Sequence, residues 1–236
     1  MKYQTKCFRV SDAKICPHCK RNQIIKNGTT KCKKQQYLCK SCGKRFLDYY
    51  TYNAYHERVN SEIIHFTKEG LGIRNTARIL HISTTTLLRR ILIIAKNIKP
   101  PKIPMGKEYE VDELCTYVGN KEKRIWVVSA MEKVSRNIVI FNIGRRTNQT
   151  LKKVTESLHF ANSKRIYTDR LQNYKSLIEK NIHKTVRFGT NHLERFHLTL
   201  RTHLKRLNRR TICFSKSLIM LSAVLKIYFW GERNYN

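Results

Sequence analysis

The chain has 236 residues, long enough to bury a real core as one large domain or two to three small ones. Lysine and arginine total 48 against 16 acidic residues, a formal charge of +32, with 41% apolar residues, 9 glycines and 4 prolines. That balance excludes collagen, wholesale disorder and low-complexity linker, and a charge that opposes its own compaction asks for a polyanionic partner. The excess is not confined to one tail: residues 1–105 carry a net +17 and residues 106–236 a net +15, so both halves are candidates to touch nucleic acid. Met1–Val10 lacks the apolar stretch of a signal peptide. Ile219–Trp230 is interrupted by Ser222 and Lys226 and is too short for a bilayer, so a cytoplasmic, nucleoid-associated address with no membrane partner is expected. Eight cysteines in such a chain point to metal before disulfides.

Cys16-Pro17-His18-Cys19 and Cys39-Lys40-Ser41-Cys42 are two Cys-x-x-Cys pairs separated by 19 residues. Two thiolates three positions apart on a tight turn grip one side of a tetrahedral ion, and the second pair closes the site, so Cys16, Cys19, Cys39 and Cys42 are the expected ligands of a structural Zn²⁺. Cys7, Cys32 and His18 lie nearby and are expected to stay outside the site rather than serve as spare thiols or an alternative ligand. Gln23–Lys26, the turn dipeptide Asn27-Gly28 and Gln35–Leu38 read as a small hairpin between the pairs. Nine basic residues from Lys20 to Arg45, with no acid between Lys14 and Asp48, favour phosphate contact by this zinc ribbon over residues 1–50.

Apolar spacing over Val59–Glu69, stopped by Gly70-Leu71-Gly72, predicts a helix, and Ile73–Leu80 a shorter one. After the turn His81-Ile82-Ser83, with Ser83 or Thr84 as N-cap, Thr85–Ile94 predicts a third. Short helix, tight turn and longer helix make a helix-turn-helix over residues 51–98, with Thr84, Thr85, Thr86, Arg89 and Arg90 the candidates to meet DNA. Lys99-Pro100-Pro101-Lys102-Ile103-Pro104 holds three of the four prolines, which no helix survives, so residues 99–106 are the linker.

Over residues 107–236 the order is β-β-β-α-β-α-β-α. Strands are predicted at Glu108–Leu114, Arg124–Met131, Ile138–Ile143, Arg165–Asp169 and His183–Arg187. Helices fall at Asn148–Phe160, Leu171–Glu179 and Asn191–Leu207, and the apolar tail Leu218–Trp230 packs on the core or on a second protomer. This is the order of a ribonuclease-H-like fold, a mixed five-stranded sheet whose first and fourth strands are neighbours. The chain as a whole is then α+β and multidomain. Asp112 in the first strand, Asp169 at the end of the fourth and Glu194 on the last helix can converge there. Glu110 and Glu113 rival Asp112, and period-2 alternation puts Glu110 and Asp112 on one face and Glu113 on the other. Such carboxylates suit Mg²⁺ or Mn²⁺, and a pair of these ions can drive phosphodiester displacement.

Three stretches carry a resemblance to a known family. They are Val111-Asp112-Glu113; Tyr167-Thr168-Asp169 with Tyr174 five residues on; and the block Leu193-Glu194-Arg195, Leu198–Thr202, Leu204–Leu207, Arg210–Ser217. The chain is similar there to transposases of the insertion-sequence-one type, which have an Asp-Asp-Glu active site, and the 24 residues between Asp169 and Glu194 match their spacing. The ribbon and helix-turn-helix ahead of the catalytic domain also look like that architecture. The resemblance implies that Asp112, Asp169 and Glu194 are the catalytic, metal-binding acids of a prokaryotic enzyme. Leu114-Cys115 after the first acid, Arg170 after the second and Phe196-His197 after Glu194-Arg195 depart from the family pattern. Arg195, Arg201, Lys205, Arg206, Arg209, Arg210 and Lys216, with no acid from Arg195 to Lys216, are expected to hold double-stranded DNA at the element's end or target.

The function expected is strand cleavage at an element's terminal repeats followed by attack of the freed 3′-hydroxyl on target DNA. Two ends must act together, so a homodimer or larger assembly is expected. A non-catalytic repressor using residues 1–97 alone, and a nuclease that cuts without joining, are the alternatives.

Overall fold

The computed structural model describes residues 8, 9 and 15–232; Cys7 lies outside them. Five short strands come first: β1 (Phe8–Arg9), β2 (Ile24–Thr29), β3 (Gln35–Cys39), β4 (Arg45–Leu47) and β5 (Tyr49–Tyr50). They form two antiparallel sheets, β1 with β5 and β2-β3-β4 in order. The predicted turn at Asn27-Gly28 is instead a bulge inside β2. Lys26 pairs with Tyr37 and Thr29 with Gln35, so two residues stand against one, and Gly28 takes φ +72° to allow it. The chain reverses further on, where Lys33 N–H donates to Thr30 O (2.9 Å). Strand β4 follows the second cysteine pair and seats Phe46 against Tyr37, with ring centroids 5.6 Å apart.

Three helices follow: α1 (Val59–Lys68), α2 (Ile73–Ile79) and α3 (Thr84–Asn97). Ser83 Oγ accepts from Thr86 N–H (3.1 Å), which settles the cap of α3 on Ser83. Residues 99–106 carry no helix or strand, as their prolines require.

The second half begins as an antiparallel meander, β6 (Glu108–Val118), β7 (Asn120–Glu132) and β8 (Ile138–Gly144). Helix α4 (Asn148–Phe160) leads to β9 (Arg165–Thr168), and α5 (Asn173–Leu177) to β10 (His183–Lys184). The chain ends in α6 (Asn191–His203), a 3₁₀ turn at Lys205–Leu207 and α7 (Leu218–Trp230). The sheet is mixed, in the order β10-β9-β6-β7-β8, with β9 parallel to both β6 and β10. First and fourth strands are therefore neighbours. The predicted helix over Asn191–Leu207 stops at His203 and finishes as 3₁₀, which still buries Leu204 and Leu207.

Alternation along β6 feeds two cores. Tyr109 and Val111 face α4 and α5, with Leu151, Val154 and Tyr174. Leu114 and Val118 face α6 and α7, with Leu200 and Leu225. That second core does not stop at the sheet: Val59, Ile63, Leu87 and Ile91 of the helix-turn-helix belong to the same buried cluster. Helix α7 is apolar nearly all round because it packs against α1 and α3 on one side and β8 on the other.

Candidate active site and metal centre

Strand β9 covers the edge of β6 only as far as the pair Val111–Thr168. The next residue on each strand, Asp112 and Asp169, therefore stands at an open notch beyond the carboxyl end of β9. Carboxylate oxygens of Asp112, Glu113 and Asp169 lie within 4.8 Å of one another there. Asp112 Oδ1 accepts from Glu113 N–H (2.7 Å), and Asp169 Oδ1 from Leu171 N–H (3.0 Å). Asp112 Oδ2 lies 3.2 Å from His197 Nδ1. The other ring nitrogen of His197 meets Ser129 Oγ at 3.1 Å.

Glu110 and Glu113, the rivals of Asp112, are both occupied elsewhere. Glu110 is fully buried and seats the start of α6, with one oxygen 2.7 Å from His192 Nδ1 and the other accepting Leu193 N–H at 2.9 Å. A carboxylate at a helix N-terminus meets the positive end of its dipole. Glu113 lies on the α4–α5 face, as alternation requires, yet its carboxylate joins the cluster at the edge of β6 that β9 leaves uncovered. Tyr174 Oη donates to Glu113 Oε1, and Arg146 Nε and Nη2 donate to Oε2 (3.2 and 2.9 Å). Burial pushes the Glu113 carboxyl above the usual range; Tyr174 and Arg146 partly oppose that, and the charge of Asp169 adds to it.

Glu194 stands outside this cluster of three. It is exposed in the first turn of α6, and Thr190 Oγ1 donates to its Oε1 (2.8 Å). It lies three residues before His197, hence on the same side of the helix. Arg170 is exposed and makes no ion pair among the described residues.

The four thiols of Cys16, Cys19, Cys39 and Cys42 also gather within 4.8 Å, with Sγ–Sγ distances of 3.7 Å (Cys16–Cys42) and 3.6 Å (Cys19–Cys39). Cys32 and His18 are not in this group. Burial works to raise the Cys39 thiol, but the Cys42 backbone, the Cys19 thiol and the Ser41 backbone outweigh it and bring it to about 6.

The predicted DNA contacts divide. Thr84, Thr85 and Arg89 are exposed on α3, whereas Thr86 is half-buried under Tyr52 Oη. Arg90 is turned inward, with Nη2 on Ala54 O (2.6 Å) and Nη1 on Asn60 Oδ1 (3.2 Å). Arg206 likewise donates to Ser215 Oγ (3.0 Å), and burial lowers its pKa. Arg195, Lys205, Arg209, Arg210 and Lys216 are exposed. Arg201, half-buried with Nη2 on Cys115 O (3.3 Å), lines with Lys205 and Arg210 an open cleft of about 650 Å³.

The sequence pattern did not mark Arg146, His197 or His192 as parts of the site, and it offered Glu110 only as a rival of Asp112. The one visible signal was the pair Arg145-Arg146 directly after an apolar strand.

Comparison with known proteins is consistent with this arrangement. The family model described as IS1 transposase matches residues 108–235, and one described as InsA C-terminal domain matches residues 50–92. The insertion element iso-IS1n protein InsB of Shigella dysenteriae is 34% identical over 108 residues, which is 46% of this chain and 82% of that protein. The insertion element IS1 protein InsB of Shigella flexneri is 33% identical over 119 residues, 50% of this chain and 91% of that one. An acidic notch in a mixed sheet, joined to a helix-turn-helix and carrying these matches, makes the chain a transposase, an enzyme that cuts and joins DNA. It belongs to the IS1 transposase family and is an insertion-sequence transposase. Such enzymes use divalent metal, and the notch and the four thiols are the two groups that could hold an ion among the described residues.

Proposed function

We propose that the chain binds the terminal inverted repeats of its element, cuts a strand at the element's end and joins the freed 3′-hydroxyl to target DNA. The observation that carries this reading is the meeting of Asp112 and Asp169 at the open end of a ribonuclease-H-like sheet. Asp112, Asp169 and Glu194 are the acids that would hold two Mg²⁺ or Mn²⁺, for which hard oxygen donors are suited. Held by these carboxylates, such cations would supply activation of the attacking oxygen and stabilisation of charge on the leaving one.

The chain's own groups prepare that ligand set. Glu113 N–H and His197 fix the two oxygens of Asp112, and Leu171 N–H fixes one of Asp169. Glu194 is held by the Thr190 hydroxyl, one helical turn from the residue that touches Asp112. In cleavage a water oxygen bonds to phosphorus, the P–O3′ bond breaks, and the 3′-oxygen gains a proton. In joining, that 3′-hydroxyl attacks a target phosphodiester and displaces a target 3′-oxygen. One phosphodiester is exchanged for another, so no energy source is needed.

Residues 1–50, 51–98 and 107–236 serve as ribbon, repeat reader and catalytic domain, with 99–106 linking the last two. In the ribbon, thiolates about 2.3 Å from a tetrahedral Zn²⁺ stand about 3.8 Å apart, which the observed 3.6 and 3.7 Å fit. Exposed Thr84, Thr85 and Arg89 meet the bases, while Arg90 braces the helix. Arg195, Arg201, Lys205, Arg209, Arg210 and Lys216 hold phosphates near the acids. Two copies bring two ends together on nucleoid DNA.

Cleavage of labelled end DNA in Mg²⁺ by Asp112→Asn and by Glu194→Gln tests the ligand set. Each is expected to lose about 1,000-fold or more in rate, with end binding in a band shift unchanged. Activity that survives Glu194→Gln but not Glu113→Gln would replace Glu194 by Glu113 as third acid.

A further inference from the structure

Glu113 contributes a buried carboxylate to the acidic cluster, but both of its oxygens already have donors, Tyr174 on one and Arg146 on the other. Its side chain is 2% exposed, and that of Arg146, which it anchors, is 42% exposed. The network therefore ends in a guanidinium at the mouth of the notch, beside Asp112 and Asp169, on the loop between β8 and α4. Nε and one N–H of Nη2 are directed at Glu113, while Nη1 and the second N–H of Nη2 have no partner among the described residues. A planar fork fixed along one edge by a buried acid, and open along the other, fits two oxygens of a tetrahedral phosphate.

From this geometry we infer that Arg146 is a further catalytic residue, which binds the non-bridging oxygens of the scissile phosphodiester, and that Glu113 and Tyr174 are its positioning residues. The inference rests on the proposed reaction at Asp112 and Asp169. Charge builds on those oxygens during in-line displacement, and a donor fixed beforehand stabilises it without reorganising. The competing role for Arg146 is neutralisation of the crowded acids. The two differ in what they ask of the side chain. A neutralising cation can be a lysine, and its loss tightens metal binding. A phosphate fork cannot be a lysine, and its loss slows the step even when metal and DNA saturate.

The test uses the full chain, labelled element-end DNA and Mg²⁺, with Arg146→Ala and Arg146→Lys. At saturating DNA and Mg²⁺ the alanine variant is expected to cleave about 100-fold more slowly, with the band-shift Kd unchanged within about threefold and little recovery in the lysine variant. Millimolar guanidinium is expected to restore part of the rate to Arg146→Ala and none to Asp169→Ala. Wild-type rate in Arg146→Ala at saturating Mg²⁺, with half-saturation shifted to lower Mg²⁺, or full recovery with lysine would each overturn the assignment while leaving the proposed reaction standing. Absence of product from the wild type would remove both.

Discussion

Glu110, Asp112 and Glu113 sit within four residues of one strand and have three different surroundings. Glu110 holds the start of α6, Asp112 faces the notch, and Glu113 holds a guanidinium from the opposite face. Their separation follows from where β9 ends: Glu110, two residues before Asp112, is still paired with β9 and buried, and Glu113, one residue after it, is on the other side of the sheet. Tyr109, beside them, is fully buried with its hydroxyl donating to Pro104 O. Burial, and then the charge of Glu132, push its phenol from 10.0 up to about 12. A group whose folded pKa is raised contributes stability that is complete below the unfolded value and is lost as pH climbs through the folded one. Between pH 10.0 and about 12 the wild type should therefore lose more stability than Tyr109→Phe, as read by urea midpoints across that range. Parallel curves for the two proteins would contradict it.

Among the elements, α7 does most to join the parts. Leu221, Val224, Leu225 and Ile227 are buried in the cluster that also contains α1, α3 and the α6 side of the sheet. His203 of α6 and Tyr228 of α7 bond at 2.7 Å, and Trp230 Nε1 donates to Ile138 O on β8 (2.8 Å). Gly70, which ends α1 at φ +74°, lies so close to α6 that an added Cβ would sit 2.2 Å from His203 O. Leu225→Ala should cost about 2–5 kcal/mol. Because the core is shared, helix-turn-helix and sheet should lose structure in one transition; two separate transitions would mean that the helix-turn-helix folds independently of the five-stranded sheet. The apolar pattern of α7 was plain in the sequence, but a helix apolar all round does not say what lies on each side. The helix-turn-helix and the strand order were legible because their periods and caps are local. The Asn27-Gly28 bulge was not, since the same dipeptide serves a turn or a bulge and only the register with β3 decides. The place of Asp112 and Asp169 was legible from topology. The capture of Glu113 by Arg146 was not, because it depends on contacts 33 residues apart.

At the scale of the molecule, a net charge of +32 is divided between a small three-stranded unit with four gathered cysteines and a larger body with continuous cores. The core of the three-stranded unit is Cys16, Cys39 and Phe46 with a few partly buried neighbours, and the proposed Zn²⁺ would supply the stability that so small a core lacks. Removing Zn²⁺ with a chelator, or Cys39→Ser with Cys42→Ser, should unfold the ribbon around residues 15–47 and weaken end binding, while leaving the thermal transition of the body in place. Unchanged end affinity in a band-shift titration would show that the ribbon takes no part in holding DNA. In the proposed reaction the chain joins DNA through the acids that meet at the end of β9. The most direct measurement mixes purified protein, labelled element-end DNA, a target plasmid and Mg²⁺, with Asp169→Ala run alongside. Joined product from the wild type and none from the variant is the predicted result. Specific binding by both with product from neither, or equal product from both, would contradict it.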